Sequence, residues 1–162
     1  MARADILAAY YTLVSQLTVV NGFNYDWASI KSIDNGALTP TSSPVLSFAF
    51  GEESNDNESN GIGNNKLQCE VPMRVTAVKK LVGVDQTLDV VEYNIEIQRS
   101  AMLDDIKRAF ANPYKIACTT GFLNIKYTGE VEADEEDLDQ FTVYSISEFL
   151  VTYRQELEIN EW

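Results

Sequence analysis

Histidine is missing altogether from this 162-residue chain. Its absence removes the commonest general base and the commonest metal ligand, and it makes a Ser-His-Asp triad impossible. Cysteine is scarce, with Cys69 and Cys118 alone. Two thiols fall short of the three N or S ligands that a zinc site needs. Without an imidazole to activate it, a cysteine nucleophile is not expected either. Both cysteines read as small buried hydrophobes rather than as a structural disulfide. Basic residues are also few: 12 Lys and Arg against 25 Asp and Glu leave a formal net charge of −13. Such a surface repels phosphate backbones and argues against a dedicated nucleic-acid binder. No apolar run approaches the ~20 residues of a bilayer-spanning helix. The opening Met1-Ala-Arg-Ala-Asp-Ile lacks the sustained apolar stretch of a secretory signal, so a soluble protein made in the cytoplasm is expected. A phosphate-cradling loop is not supported, because Gly61-Ile-Gly63 lacks a third glycine, a preceding strand and a following helix.

What is present is ordinary globular material, 45% hydrophobic and 23% charged. The length suits one domain over residues 1–162, and a folded chain of this size buries roughly 70% of its unfolded surface. Ile6, Leu7, Tyr10, Leu13, Val14 and Leu17 recur at helical spacing with Asp5 in the first turn, which predicts a helix over roughly 3–19. The β-branched Thr18-Val19-Val20 and then Asn21-Gly22 supply its stop. The aromatic stretch Phe23–Ile30 follows, in which Asp26, Trp27 and Ile30 read either as core or as a contact patch. Residues 34–44 are rich in turn formers and end at Pro44. Val45–Phe50 predicts a strand with Leu46, Phe48 and Phe50 on one face. Residues 51–65 are polar and glycine-dotted, the composition of a long mobile loop.

Leu67, Cys69, Val71, Met73, Val75 and Ala77 carry the clearest two-residue period, with Pro72 placing the strand near an edge or a bulge. Residues 83–88 read as a connector. Val91, Tyr93, Ile95 and Ile97 alternate with polar residues, and a strand to about 98 is expected. The rival is one long helix over 87–111, which would leave Tyr93 and Ile97 off its apolar stripe. Under the strand assignment, Ser100 caps a short helix with Leu103, Ile106 and Phe110 inward, ended by Asn112-Pro113. The last fifty residues predict a hairpin. Leu123, Ile125, Tyr127 and Val131 share one face of its first strand, and Phe141, Val143, Phe149, Val151 and Tyr153 one face of the second. The sum is an α+β fold: a mostly antiparallel sheet of about five strands with two helices packed on one face.

Carboxylates are the one plentiful functional group. Asp134, Glu135, Glu136, Asp137 and Asp139 gather at the expected hairpin tip, 133–139, without the spacing or glycine of a calcium loop. Glu52, Glu53, Asp56 and Glu58 add a second acidic segment in the 51–65 loop. From Tyr127 to Tyr153 there is no Lys or Arg against eight acids, and charge left unneutralised at that density tends to persist where repulsion has a use.

The order of elements resembles a known family. The helix Ile6–Leu17 leads into Asn21-Gly-Phe-Asn-Tyr-Asp-Trp27. A meander follows, the strand Glu92-Tyr-Asn-Ile-Glu-Ile97 feeds Leu103-Asp-Asp-Ile-Lys-Arg-Ala-Phe110, and an acidic hairpin closes with Phe149-Leu-Val-Thr-Tyr-Arg154. This pattern, over nearly the whole length, is similar to the tail terminator (tail-completion) proteins of long-tailed bacteriophages. The resemblance implies an α+β subunit of a ring, by family a hexamer, that caps the tail tube, stops its polymerisation and presents a surface to the head. It implies no catalytic residue and no cofactor or metal. The partners it implies are copies of the chain, the tail tube protein and a head-completion or neck protein, with DNA passing an acidic lumen without tight binding, in a virion tail assembled in the host cytoplasm. The two acidic segments would then be interaction or lumen surfaces. The alternatives are a tail tube subunit or another neck protein, a carboxylate-based metal-binding module or metal-dependent hydrolase, and an acidic mimic that blocks nucleic-acid enzymes.

Overall fold

The computed structural model describes residues 3–29, 38–55, 66–87, 89–112, 123–132 and 141–156. The first stripe forms helix α1 (Arg3–Val14), which buries Ile6, Tyr10, Leu13 and Val14. It stops short of the expected residue 19. The β-branched run disfavours helix there, and local acceptors compete for its backbone. Val19 N–H donates to Asp26 Oδ1 at 2.8 Å, and Asn21 Nδ2 donates to the Gln16 carbonyl at 2.8 Å. A single 3-10 turn, Val19–Asn21, results, closed by Gly22 at φ +88°, where a residue without Cβ is at ease.

The strands are β1 (Ala28–Ser29), β2 (Val45–Phe50), β3 (Ser54–Asn55), β4 (Lys66–Lys80), β5 (Leu123–Val131) and β6 (Thr142–Glu156). They form one sheet in the order β1-β2-β4-β6-β5, with β3 also on β4. Every pairing is antiparallel except the two-residue contact of β1 with β2. In-register partners share a face, so Phe50, Met73, Phe149 and Tyr127 form one row across four strands. That face carries the core. Tyr10 of α1 stacks on Phe110 of the second helix at 5.2 Å between centroids, and its hydroxyl donates to the Phe110 carbonyl at 2.9 Å. Phe48 and Phe149 of the sheet lie against Phe110 at 5.7 and 6.1 Å. Both helices therefore cover the same side of the sheet, and the α+β class stands as expected.

One expected strand is not a strand. Residues 91–98 belong to helix α2 (Val91–Phe110), a 20-residue element in which Ser100 is an interior residue rather than a cap. The strand assignment rested on keeping apolar side chains out of water. The helix instead leaves Tyr93 and Ile97 exposed and satisfies its backbone hydrogen bonds within one segment rich in strong helix formers. Its buried stripe is Met102, Asp105, Ile106, Ala109 and Phe110. Four of the expected strands stand, and the two-residue β1 and β3 join them in the sheet.

Three local departures also have physical causes. Pro72 lies in a strand flanked on both sides, so of the two expected settings only the bulge applies. Phe50 pairs with Met73 but Ser54 pairs with Glu70, so three residues on one side span two on the other. Gly51 N–H donates to the Pro72 carbonyl at 2.7 Å; proline returns no N–H, and the Gly51 carbonyl accepts from Arg3 Nη2 at 2.9 Å instead. In β5 the register slips between Tyr127 and Gly129, which moves Glu130 to the helix-covered face and Val131, paired with Ile146, to the other. Finally, Ser54–Asn55 of the expected 51–65 loop are paired as β3; residues 56–65 lie outside the described residues.

Candidate functional site

Of the acidic residues expected to matter, Glu52 and Glu53 are described and exposed, whereas Asp56, Glu58, Asp134, Glu135, Glu136, Asp137 and Asp139 lie outside the described residues. Glu53 does not stand free. It accepts the Tyr153 hydroxyl, next to Cys69, whose Sγ donates to Asn55 Oδ1 at 3.4 Å. Burial pushes the Tyr153 phenol up from its ordinary value, and the hydrogen bond and charge of Glu53 push further. Burial likewise raises the Cys69 thiol, with Glu53 adding to it and the Tyr153 hydrogen bond opposing. The cluster thus favours the protonated phenol and thiol, the wrong direction for a nucleophile. Its evident work is to tie the segment after β2 onto β4 and β6.

A second polar cluster closes the far end of β4. Lys79, 7% exposed, donates from Nζ to Gln98 Oε1 at 2.6 Å, and Gln98 Nε2 donates to Asp85 Oδ2 at 3.0 Å. Burial pulls the Lys79 ammonium down, partly offset by Asp85. The chain of contacts fastens the Gly83–Gln86 3-10 turn and the sheet to α2.

The most buried carboxylate among the described residues carries no signal in the local sequence pattern. Asp105 is 0% exposed. Its Oδ1 accepts Asn24 N–H at 2.8 Å, and its Oδ2 accepts Tyr25 N–H at 3.2 Å and the Trp27 indole N–H at 2.9 Å. The helical phase of α2 puts residue 105 beside 102 and 109, a signal that exists only once the 91–110 frame is known. Trp27, 6% exposed, is therefore core rather than contact patch, Asp26 holds the preceding turn, and Ile30 lies outside the described residues.

The acidic stretch 127–153 is less bare than its sequence. Arg74 pairs with Glu148 at 2.6 Å and Arg99 with Glu130 at 3.2 Å, so cations from β4 and α2 neutralise two of its eight acids. Lys107 lies over the Tyr127 ring at 4.8 Å.

Among the described residues, two of the outward surfaces matter here. On α2, Tyr93 is 68% and Ile97 52% exposed, one turn apart, beside the exposed Glu92 and Glu96. The opposite surface is the sheet face away from both helices. There Pro72, Arg74 and Lys126 are exposed, Ile146 and Leu150 half-buried, and a shallow depression of about 430 Å³ opens between Ala49, Pro72, Arg74, Thr128, Glu148 and Leu150. Among the described residues, no group of three or more Cys, Asp or Glu is placed to hold a metal ion. No described helix is long and apolar enough to cross a membrane. No family model and no curated protein sequence matches the chain.

Proposed function

We propose that this protein is a ring-forming structural subunit of a phage tail, of the tail-terminator kind, which caps the tail tube and offers a surface for head joining. The observation that carries this is the Tyr93–Ile97 pair. A large aromatic and a β-branched residue one turn apart, flanked by acids, form a patch of the composition that protein interfaces use, and water is an unfavourable setting for it. The α+β architecture with both helices on one side of the sheet supports this reading, whereas the strand 92–97 of the expected element order is instead the first part of α2. The formal charge of −13 suits a ring through which DNA slides without sticking. Light scattering and negative-stain imaging of the protein, alone and with tail tube protein, test the proposal. Rings with a central hole that cap tubes are the expected result. A particle that stays monomeric at high concentration and ignores tubes sinks it.

A further inference from the structure

Resting on the ring assignment above, we infer that the outer face of α2 in one copy docks into the open sheet face of the next, with Tyr93 seated in the depression beside Pro72 and Leu150. Three observations lead there. The first is shape. A depression of about 430 Å³ admits a phenol ring, and its floor between Ala49, Pro72 and Leu150 is apolar. The second is charge. Of the charged residues at the hollow, Arg74 is already paired with Glu148 at 2.6 Å, and Lys126, in register with Leu150, adds a further cation at its edge. The Tyr93–Ile97 patch is bordered by Glu92 and Glu96. An apolar hollow with a cation at its edge meets an apolar knob with two acids beside it, a complementarity that sets register and disfavours wrong partners. The third is direction. The α2 patch stands on the helix side of the sheet and the depression on the other, so one chain cannot fill its own hollow. Two different surfaces meeting between copies give a head-to-tail contact, which closes into a ring when the rotation allows.

The test uses two variants whose substitutions are at surface positions. Tyr93→Ser with Ile97→Ser removes the knob; Ala49→Glu with Lys126→Glu spoils the hollow and its rim. Thermal melting confirms that both fold. Each alone is expected to stay monomeric where the unaltered protein forms rings, with the assembly concentration raised roughly thirtyfold or more for the loss of an aromatic anchor. Mixed one to one, they are expected to give a dimer that grows no further, because one intact knob then meets one intact hollow. A photo-crosslinker placed at position 93 in an otherwise unaltered chain is expected to capture peptides from β2, β4 or β6 of another copy, and it serves equally if a double variant fails to fold. Rings formed by either variant, mixed samples without dimers, or crosslinks from α2 to α2 overturn the inference and leave the ring assignment standing. An unaltered protein that forms no rings overturns the ring assignment itself.

Discussion

Arg99 of α2 meets Glu130 of β5 at 3.2 Å because one residue too many has been fitted into the strand. Counted by twos from Ile125, Glu130 belongs on the open sheet face. The slip between Tyr127 and Gly129 turns it to the helix side of the sheet, where it stays exposed and reaches Arg99, and Gly129 accommodates the slip at φ +139°.

The backbone, not the ion pair, is expected to dominate that corner. Gly129→Ala is forced into a conformation L residues rarely adopt and is expected to cost more than about 1 kcal/mol, although open space surrounds its Cβ. Arg99→Ala breaks a pair whose side chains are about a third exposed and should cost less than about 1 kcal/mol. Urea unfolding of both variants gives the comparison, and equal costs would contradict it.

Asp105 is expected to be the most sensitive polar position in the core. Asp105→Ala strands Asn24 N–H, Tyr25 N–H and the Trp27 indole N–H, a loss of at least about 3 kcal/mol. Trp27, released from its anchor, should shift its fluorescence to the red before the sheet unfolds. Asp105→Asn keeps one acceptor oxygen and is expected to fall between the two.

The hydroxyls of Ser145 and Ser147 are buried on the helix-covered face and have no hydrogen-bond partner among the described residues. Removing an unpaired buried hydroxyl without changing the packing recovers part of its desolvation cost. Ser147→Ala should therefore raise the unfolding free energy, by up to about 1–2 kcal/mol. A loss of stability would reveal a partner for the hydroxyl.

Alkaline pH is expected to unfold the protein through its buried phenols. Burial raises Tyr10 far above its ordinary value near 10, and Tyr153 shifts the same way. Above pH 10 the unfolded state releases these protons while the folded state keeps them, so stability falls by about 1.4 kcal/mol per pH unit for each phenol. Lys79 acts oppositely: its folded value is lowered, so stability rises between that value and the ordinary 10.5. Tyr10→Phe should lose about 1 kcal/mol at neutral pH with its hydrogen bond to Phe110. It should then lose stability less steeply above pH 10. Urea midpoints from pH 8 to 12 show whether the curves converge.

Alternation and helical spacing in the chain were enough to determine α1, the core faces of β2, β4 and β6, the antiparallel hairpin of β5 with β6, and the α+β class. Those features follow from local periodicity, because a strand or a helix with one apolar face has only one way to bury it. The element at 91–98 was not legible for the same reason. Val91, Tyr93, Ile95 and Ile97 satisfy a period of two, and the rule that apolar side chains avoid water selects the strand. That rule fails where a surface is kept for another molecule, the role proposed above for the exposed Tyr93–Ile97 face. Asp105 and Glu130 were illegible for a second reason. Whether a carboxylate lies inside or outside depends on the phase of its helix or the register of its strand, and each was set by contacts across about eighty and about thirty residues of sequence. Periodicity thus decided the fold class, and composition the lack of histidine and the excess of acids. Only the tertiary structure, through the β4–β6 register and the packing of α2 over the sheet, decided which charges are paired, which carboxylate is buried, and that Tyr93 and Ile97 face outward.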